Sequence, residues 1–440
     1  MKYARFIIVV LLTASSGIKV EEAGALTLVD AVRLAEEWNF DLKKSAVDMN
    51  IARAANKNLW AEFFPSISAG AGVRYNTSII SANSAANNNP SVSLNAGLSF
   101  QLNAGLPAAV KLIRLAYETS LFDYEQAGRQ LELAVTKQFY TIITEQYNLS
   151  ILKEKQTQAE RQLQHDRIRF ENGLLNELNY HLSRLSAESA KLEMNRALSD
   201  LAEMTGQFQA ALGFEPDEQI QYDGELEIER VELDSEYLID RYLPMRPDII
   251  VARRNLERLR LTETRQTLSS RAPTLSLSTS WGASMDTPFS DSLSASVNLS
   301  IPVESWLPGT KDWQSIKSAA AGVEKAEFDL ENIQRSAKTS IRALCANINN
   351  SWNSIEIARL RVEIAEGAYL MAERGFSQGT VEFLELETAR NSLSGTRQQL
   401  LREELSYKSM ILDLAAALNI AVDKLFSRSD DEKKTEIQSG

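Results

Sequence analysis

The chain has very few residues suited to metal or thiol chemistry: two histidines, His165 and His181, and one cysteine, Cys345, among 440 residues. A structural zinc site needs four cysteine or histidine ligands, and a disulfide needs two cysteines. One chain therefore supplies neither, and Cys345 stands in an apolar-periodic stretch typical of a small buried hydrophobe. The sequence also lacks the G-x-G-x-x-G, P-loop, H-E-x-x-H and G-x-S-x-G motifs. We expect no cofactor, no metal site and no enzymatic activity.

Long apolar runs and basic clusters are also missing. The formal net charge is -12, and no Lys/Arg cluster offsets it, which argues against nucleic acid as a partner. Beyond the N-terminus, no apolar run approaches the roughly 20 residues that a membrane-spanning helix needs. At the N-terminus, Lys2 and Arg5 precede a short apolar run, and small residues follow near position 25. This order predicts a secretory signal peptide at residues 1–25 and export of the protein.

Proline is absent between Pro107 and Pro216 and again after Pro308. Apolar residues in these stretches recur at three-, four- and seven-residue spacings, which predicts long, coiled-coil-like helices over residues 108–172 and about 313–378. A helix of some 65 residues is roughly 100 Å long. Gly173 and Gly379 interrupt these stretches, and helical patterning resumes directly after each. We therefore predict two helical hairpins with turns at about 173 and 379.

Similar segments recur about 207 residues apart, which predicts an internal two-fold repeat. Residues 170–173 read Phe-Glu-Asn-Gly and residues 376–379 read Phe-Ser-Gln-Gly, an offset of 206. Pro65 and Pro273 end corresponding helical stretches at an offset of 208. The predicted first repeat covers residues 26–215 and the second covers 241–427. Residues 216–240 connect them, and residues 428–440 form a disordered tail. Whether each half folds separately stays open at this point.

Each predicted repeat contains two segments of strict apolar–polar alternation, at about 66–75 and 91–102 and at about 274–282 and 292–303. Period two indicates strands with one apolar and one polar face. One interpretation is a soluble antiparallel sheet that covers a core. The polar faces, however, are mostly Ser, Gly and Asn, and about ten residues is the length of a tilted membrane-spanning strand. Four such strands cannot close a barrel, so a membrane location requires an oligomer of two, three or more chains.

The order helix–strand–strand–hairpin, written twice, resembles the TolC-type outer-membrane efflux proteins (the outer membrane factors). Its further marks are the signature Arg246-Pro247-Asp248, the helix that runs into Pro273, and the two Phe-x-x-Gly turns. The resemblance implies a mainly α-helical chain that contributes four transmembrane strands to a trimeric 12-stranded β-barrel. The long hairpins would form a periplasmic α-barrel. It also implies a homotrimer in outer-membrane lipid, partnered by a periplasmic adaptor and an inner-membrane pump.

The resemblance further implies where the functional residues lie. Six residues after the second turn glycine, the family places an acid that closes the periplasmic tip as a ring, and here that residue is Glu385. Glu382 and Glu387 lie nearby, whereas Thr388 stands where the family has a second acid. An ordinary solvated helix face is the alternative for Glu385. The resemblance assigns adaptor docking to the two turns, at Phe170, Gly173, Leu174, Phe376, Gly379 and Thr380.

The function that follows is an exit duct in the outer membrane, extending into the periplasm, of a tripartite efflux or type I secretion system. The alternative is a periplasmic coiled-coil adaptor or structural protein without a pore, in which the strands form a soluble sheet. The two alternatives differ in what the apolar strand faces contact, which is lipid in the duct and a protein core in the adaptor.

Overall fold

The computed structural model describes residues 25–75, 91–214, 220–285, 289–422 and 425. Most of the predicted signal peptide and the whole predicted tail lie outside these residues. The helices are α1 (Leu28–Trp38), α2 (Phe40–Lys57), α3 (Leu106–Glu171), α4 (Glu177–Leu212), α5 (Ser235–Tyr242), α6 (Pro247–Arg271), α7 (Lys311–Ser377) and α8 (Phe383–Leu418). The strands are β1 (Ser66–Arg74), β2 (Ser91–Leu102), β3 (Thr274–Ser284) and β4 (Ser290–Ser300).

Four long helices form two hairpins of nearly equal size. Helix α3 has 66 residues and α4 has 36, while α7 has 67 and α8 has 36. These lengths arise because the stretches contain no internal proline, and Pro107 lies in the first turn of α3, where a missing N–H is harmless. The mainly helical fold class is thereby confirmed.

The four strands form one antiparallel sheet in the order β1-β2-β3-β4. Their register places apolar residues opposite apolar residues at most positions of one face: Ile67 pairs with Leu98, and Leu275 lies between Leu102 and Leu299. Thr279 and Asp291 are the polar residues on that face. Serines align in the same way on the other face, as in the pairs Ser66–Ser99 and Ser278–Ser296. The alternation in the sequence is thus a true two-faced sheet.

Strand β4 differs from its predicted range of about 292–303. It begins two residues earlier, at Ser290, and ends at Ser300 although the apolar alternation continues to Val303. Pro302 explains the early end, because a proline has no N–H to donate to a neighbouring strand. A 3₁₀ turn follows at Glu304–Trp306. Strand β3 extends two residues beyond its predicted end, to Ser284.

One compact unit comprises the described residues of 1–39, 130–231 and 348–413. Part of its core joins α1, α3, α4 and the extended segment after residue 220. Phe139, Ile142, Phe208 and Leu212 are almost completely buried there and pack against Ala31 and Ala35 of α1. Leu26 pairs with the extended segment, since its N–H donates to the Gln221 carbonyl at 2.7 Å. Smaller apolar clusters lie within each hairpin.

The other compact unit comprises the described residues of 40–129, 232–347 and 414–440, and it contains the sheet. Helix α6 contacts α3 and α7 in it: the Arg254 guanidinium lies 4.7 Å from the centre of the Phe122 ring, and Arg260 forms an ion pair of 2.6 Å with Glu327. Each compact unit therefore draws segments from both predicted repeats. Among the described helices, none is both long and apolar enough to cross a membrane.

Candidate functional site

The sheet has one polar and one apolar face, and every residue of β1 and β4 is exposed among the described residues. On the polar face, hydroxyls of neighbouring strands meet directly: the Oγ atoms are 2.6 Å apart in Ser66–Ser99, 2.7 Å in Ser278–Ser296 and 2.8 Å in Ser280–Ser294. Gly70 lies on this face opposite Asn95, whose side-chain oxygen is 3.0 Å from where a β-carbon on the glycine would stand. Because its residues are small and many carry hydroxyl groups, this face can contact water and its side chains project little from the sheet.

The apolar face exposes large side chains to the surroundings of the chain. Ile67, Val73, Leu293, Val297 and Leu299 each have 68% or more of their surface exposed. Burying an aliphatic side chain is worth about 1.5–3 kcal/mol, so a face of this kind requires an apolar environment. No core lies against it among the described residues. This observation disfavours the soluble sheet, whose apolar face would pack on its own chain.

The first hairpin turn closes with a glycine in the left-handed conformation. Gly173 has φ 71°, its N–H donates to the Phe170 carbonyl at 2.9 Å, and the Leu174 N–H donates to the Arg169 carbonyl at 2.7 Å. This pair of bonds is a Schellman motif, which satisfies the last carbonyls of α3. The Phe170 ring stacks on Tyr180 of α4 at 4.9 Å, and Leu174 is exposed. The turn is therefore held by backbone bonds and ring stacking, and Leu174 is an exposed apolar side chain among exposed polar neighbours.

The second turn repeats this arrangement with different side chains. Gly379 has φ 77°, and the Thr380 N–H donates to the Gly375 carbonyl at 2.9 Å. The Thr380 hydroxyl donates to the same carbonyl at 3.0 Å. The Phe376 ring meets Phe383 of α8 edge-on at 6.2 Å. The structure thus places the sequence-predicted tip residues within two helix–turn–helix tips of the same compact unit.

The acidic residues after Gly379 fall into two groups. Glu382 immediately precedes α8 and Glu385 lies in its first turn; both are exposed, and neither side chain has a hydrogen bond or ion pair among the described residues. Glu387 is engaged instead: it accepts hydrogen bonds from Ser186 at 2.7 Å and from Arg390 at 3.0 Å. Glu385 and Glu382 therefore have free carboxylates, whereas Glu387 ties α8 to α4.

Sequence reasoning missed the polar network around Glu387. Arg390 is buried, and its Nε atom has no partner among the described residues. Tyr369 of α7 donates its hydroxyl to Glu373 at 3.0 Å, and burial raises the pKa of this phenol, helped by the Glu373 carboxylate. The spacing of Glu387 and Arg390, three residues apart on one helix face, was the only available signal.

The signature residues have a structural role at the start of α6. The Arg246 guanidinium binds Asp248 through two hydrogen bonds, at 3.1 Å from Nε and 2.7 Å from Nη2. Pro247 is the first residue of the helix, where its fixed φ suits the entry. Pro273 separates α6 from β3. Arg246, Pro247 and Asp248 therefore fix the start of α6, and only Pro273 lies at the junction between this helix and the sheet.

The described residues contain no group of three or more His, Cys, Asp or Glu side chains that could hold a metal ion. Cys345 is buried, and burial together with the charge of Asp234 raises the pKa of its thiol to about 11. A thiol with such a pKa is a poor nucleophile at neutral pH.

Comparison with known proteins gives consistent results over most of the chain. The family model described as outer membrane efflux protein matches residues 31–213 and 238–419. The chain is 23% identical to the outer membrane protein TolC of Escherichia coli (strain K12) over 419 residues, which cover 90% of this chain and 82% of that protein. It is similar in structure to the CmeC outer membrane channel of Campylobacter jejuni, with a TM-score of 0.74, 16% identity and coverage of 91% and 88%. The open-state MtrE outer membrane channel of Neisseria gonorrhoeae gives a TM-score of 0.71 at 16% identity, with coverage of 90% and 89%.

Proposed function

The chain belongs to the outer membrane efflux protein family, and we propose that three copies of it form the exit duct of a tripartite efflux or type I secretion system. Membership identifies an efflux protein of the bacterial outer membrane that is not an enzyme, in agreement with the family resemblance of the sequence. A pore-free adaptor or structural protein is not supported. In our proposal the hairpins extend into the periplasm, where an adaptor protein and an inner-membrane pump dock.

The observation that carries this proposal is the sheet. It has an uncovered apolar face, a serine-lined polar face, and two edge strands, β1 and β4, that each pair with one neighbour only in the described chain. In lipid, each unpaired backbone group at such an edge costs several kcal/mol, so the edges must be paired. Four strands are too few for a closed barrel, and three copies supply twelve. The apolar face then contacts outer-membrane lipid and the hydroxyl face lines the bore.

We also propose that the chain is a true two-fold repeat with halves at 26–215 and 241–427. The helix ends support this proposal. Gly173 and Gly379 are 206 residues apart, and so are Gly213 and Asn419, which end α4 and α8 in the same left-handed conformation. The family model matches twice, over ranges that nearly coincide with the two halves. Three copies therefore provide six similar hairpins around one axis.

The tips are the proposed docking surface for the adaptor. Each tip is rigid, because a Schellman motif and an aromatic pair fix it, and the first tip exposes the apolar side chain of Leu174. Such a surface suits insertion into an apolar groove of a helical partner. The residues proposed for this contact are Phe170, Gly173, Leu174, Phe376, Gly379 and Thr380.

The proposed gate is an acidic ring of Glu385, joined by Glu382, at the periplasmic end. Both carboxylates are exposed and unpaired among the described residues, so three copies would bring six negative charges to one constriction. A ring of carboxylates favours cations and binds divalent ions. Thr388 leaves the ring without the second family acid at that position, and adding one should strengthen it.

Conductance of the purified protein in planar bilayers tests the duct and its gate. We expect Glu385→Gln to weaken block by divalent cations on the periplasmic side and Thr388→Asp to strengthen it. Glu36→Gln, which removes the same charge from an exposed site on α1, is the matched control and should change nothing. Unchanged block by divalent cations in Glu385→Gln would show that Glu385 does not line the constriction. A protein that stays in solution without detergent and forms no channels would overturn the duct itself.

A further inference from the structure

Helix α4 carries a leucine stripe that the other described residues leave exposed. Its members recur every seven residues and are 51–66% exposed: Leu178, Leu185 and Leu192. The opposite side of the helix is the one that packs within the chain, where Ala187 and Ala190 are buried. A seven-residue apolar repeat on an exposed face is one half of a coiled-coil seam.

Helix α7 exposes a second stripe of the same period. Its members are 52–69% exposed: Ile357, Ile364 and Met371. The buried side of α7 faces its own hairpin through Ala365, Tyr369 and Ala372. Both stripes belong to the same compact unit. The chain therefore exposes two apolar stripes of coiled-coil spacing, one on α4 and one on α7.

The two stripes lie at the same level along their hairpins. Contacts between the hairpins fix this level: Arg397, 18 residues after Gly379, binds Glu154, 19 residues before Gly173, at 3.0 Å. The bond between Ser186 and Glu387 joins positions 13 and 8 residues after their turns. The first turn is therefore offset from the second by one to five residues, or roughly 1.5–7.5 Å. With this offset, Leu185 lies at the level of Met371, and Leu192 at the level of Ile364.

The flanking charges are complementary as well. Lys191 precedes Leu192 and Glu363 precedes Ile364, so the two residues hold the same position beside their stripes. Both are exposed, and neither side chain has an ion pair among the described residues. With the four-residue offset that aligns Leu192 and Ile364, they lie within two residues, or about 3 Å, of the same level. Charges that flank a coiled-coil seam select its partner and its orientation.

We propose that the leucine stripe on α4 of one copy packs against the isoleucine–methionine stripe on α7 of the next copy, as an antiparallel seam. This inference rests on the proposed homotrimer and identifies the surface that assembles the hairpins. A three-fold ring needs two different, complementary patches on each chain, because its interfaces are heterologous. The antiparallel sense follows because α4 runs away from its turn and α7 runs towards its own.

Cross-linking between cysteines tests this seam in the full-length protein in detergent. The variant carries Leu185→Cys and Met371→Cys together, with Cys345→Ala to remove the native thiol. A short bis-maleimide should link neighbouring chains and give covalent dimers and trimers on denaturing gels. Leu185→Cys with Ile357→Cys is the mismatched control, since those positions lie roughly 16–23 Å apart along the axis. Covalent dimers from Leu185→Cys alone would show that α4 packs on α4 and would overturn the proposal.

A charge swap tests the same seam without cysteines. Lys191→Glu places two acids at nearly the same level and should shift thermal dissociation of the trimer to lower temperature by a few degrees. Adding Glu363→Lys should restore the original temperature, which a purely local effect on either helix would not do. A trimer that shows neither cross-links nor rescue overturns this surface alone. A monomer in mild detergent overturns the proposed trimer, and the seam with it.

Discussion

The buried residue pair Asp166–Ser183 makes the two hairpins chemically different. Asp166 on α3 is 1% exposed, accepts a hydrogen bond from the Ser183 hydroxyl, and accepts another from Gln162 at 3.0 Å. A buried carboxylate is tolerated only when donors satisfy its oxygens. The positions 206 residues later are Ala372 and Ala389, so the second hairpin fills the same layer with methyl groups. Equivalent positions of the two hairpins thus hold a hydrogen-bonded polar pair in the first and two alanines in the second.

This contrast gives a stability prediction for the first hairpin. Ser183→Ala leaves Asp166 with one donor fewer and should lower the free energy of unfolding by about 1–3 kcal/mol. Adding Asp166→Ala reproduces the alanine pair of the second hairpin and should recover most of that loss. Chemical denaturation of the detergent-solubilised protein, followed by circular dichroism, measures both effects. Equal destabilisation by the single and the double variant would show that the serine hydroxyl is not needed by the carboxylate.

At the scale of elements, the ends of the long helices are set by left-handed residues. Gly173, Gly213 and Gly379 have φ between 71° and 86°, and Asn419 has φ 59°. A left-handed residue other than glycine costs roughly 1–2 kcal/mol, and asparagine tolerates the conformation best. The surroundings differ, however. Nothing lies near a β-carbon built on Gly173 or Gly379, whereas one on Gly213 would stand 2.6 Å from Cγ of Trp38.

Asparagine substitutions therefore separate conformation from packing. Gly379→Asn should lower stability only slightly, because the turn is open and Asn419 already shows that asparagine can end such a helix. Gly213→Asn should lower it by roughly 1–3 kcal/mol more, since the new β-carbon collides with the Trp38 ring in the core of α1 and α4. Thermal unfolding of the two variants side by side provides the measurement. Similar losses for both would mean that the Trp38 ring moves away freely.

The sequence predicted the elements better than the contacts between them. Period-two alternation placed the strands because each side of a strand meets one environment, and it failed at the end of β4, where Pro302 removes a donor while the apolar pattern continues. The helix ends followed from glycine at 173 and 379. The bond between Ser186 and Glu387 could not be foreseen, because helical periodicity shows which face is buried but not which helix covers it. The contact proposed between Leu185 and Met371 could not be predicted from the sequence either, since both residues are exposed in a single chain.

At the scale of the whole molecule, the sheet is the element that a single chain leaves incomplete. In the proposed duct its two faces meet different surroundings, and its two edges pair with neighbouring chains. The register forces this separation: every apolar residue of β1 pairs with an apolar residue of β2, so one face contains only carbon-rich side chains there. In the proposed duct, a charge on the lipid side has no solvent, while a charge on the bore side meets water and passing ions. The same substitution on adjacent residues should therefore have unrelated consequences.

Val297 and Ser296 on β4 allow this comparison at one depth. Val297 is 68% exposed on the apolar face, and Ser296 bonds to Ser278 on the polar face. Val297→Lys should make folding into lipid vesicles less favourable by about 2–4 kcal/mol, because it places an ammonium in hydrocarbon. Ser296→Lys should insert normally and instead reduce cation conductance, since three copies add three positive charges to the bore. Vesicle folding titrations and bilayer conductance measure the two effects, with Ser296→Ala as the control for loss of the serine pair. If both lysines impair insertion equally, the two faces do not have the separate environments on which the duct depends.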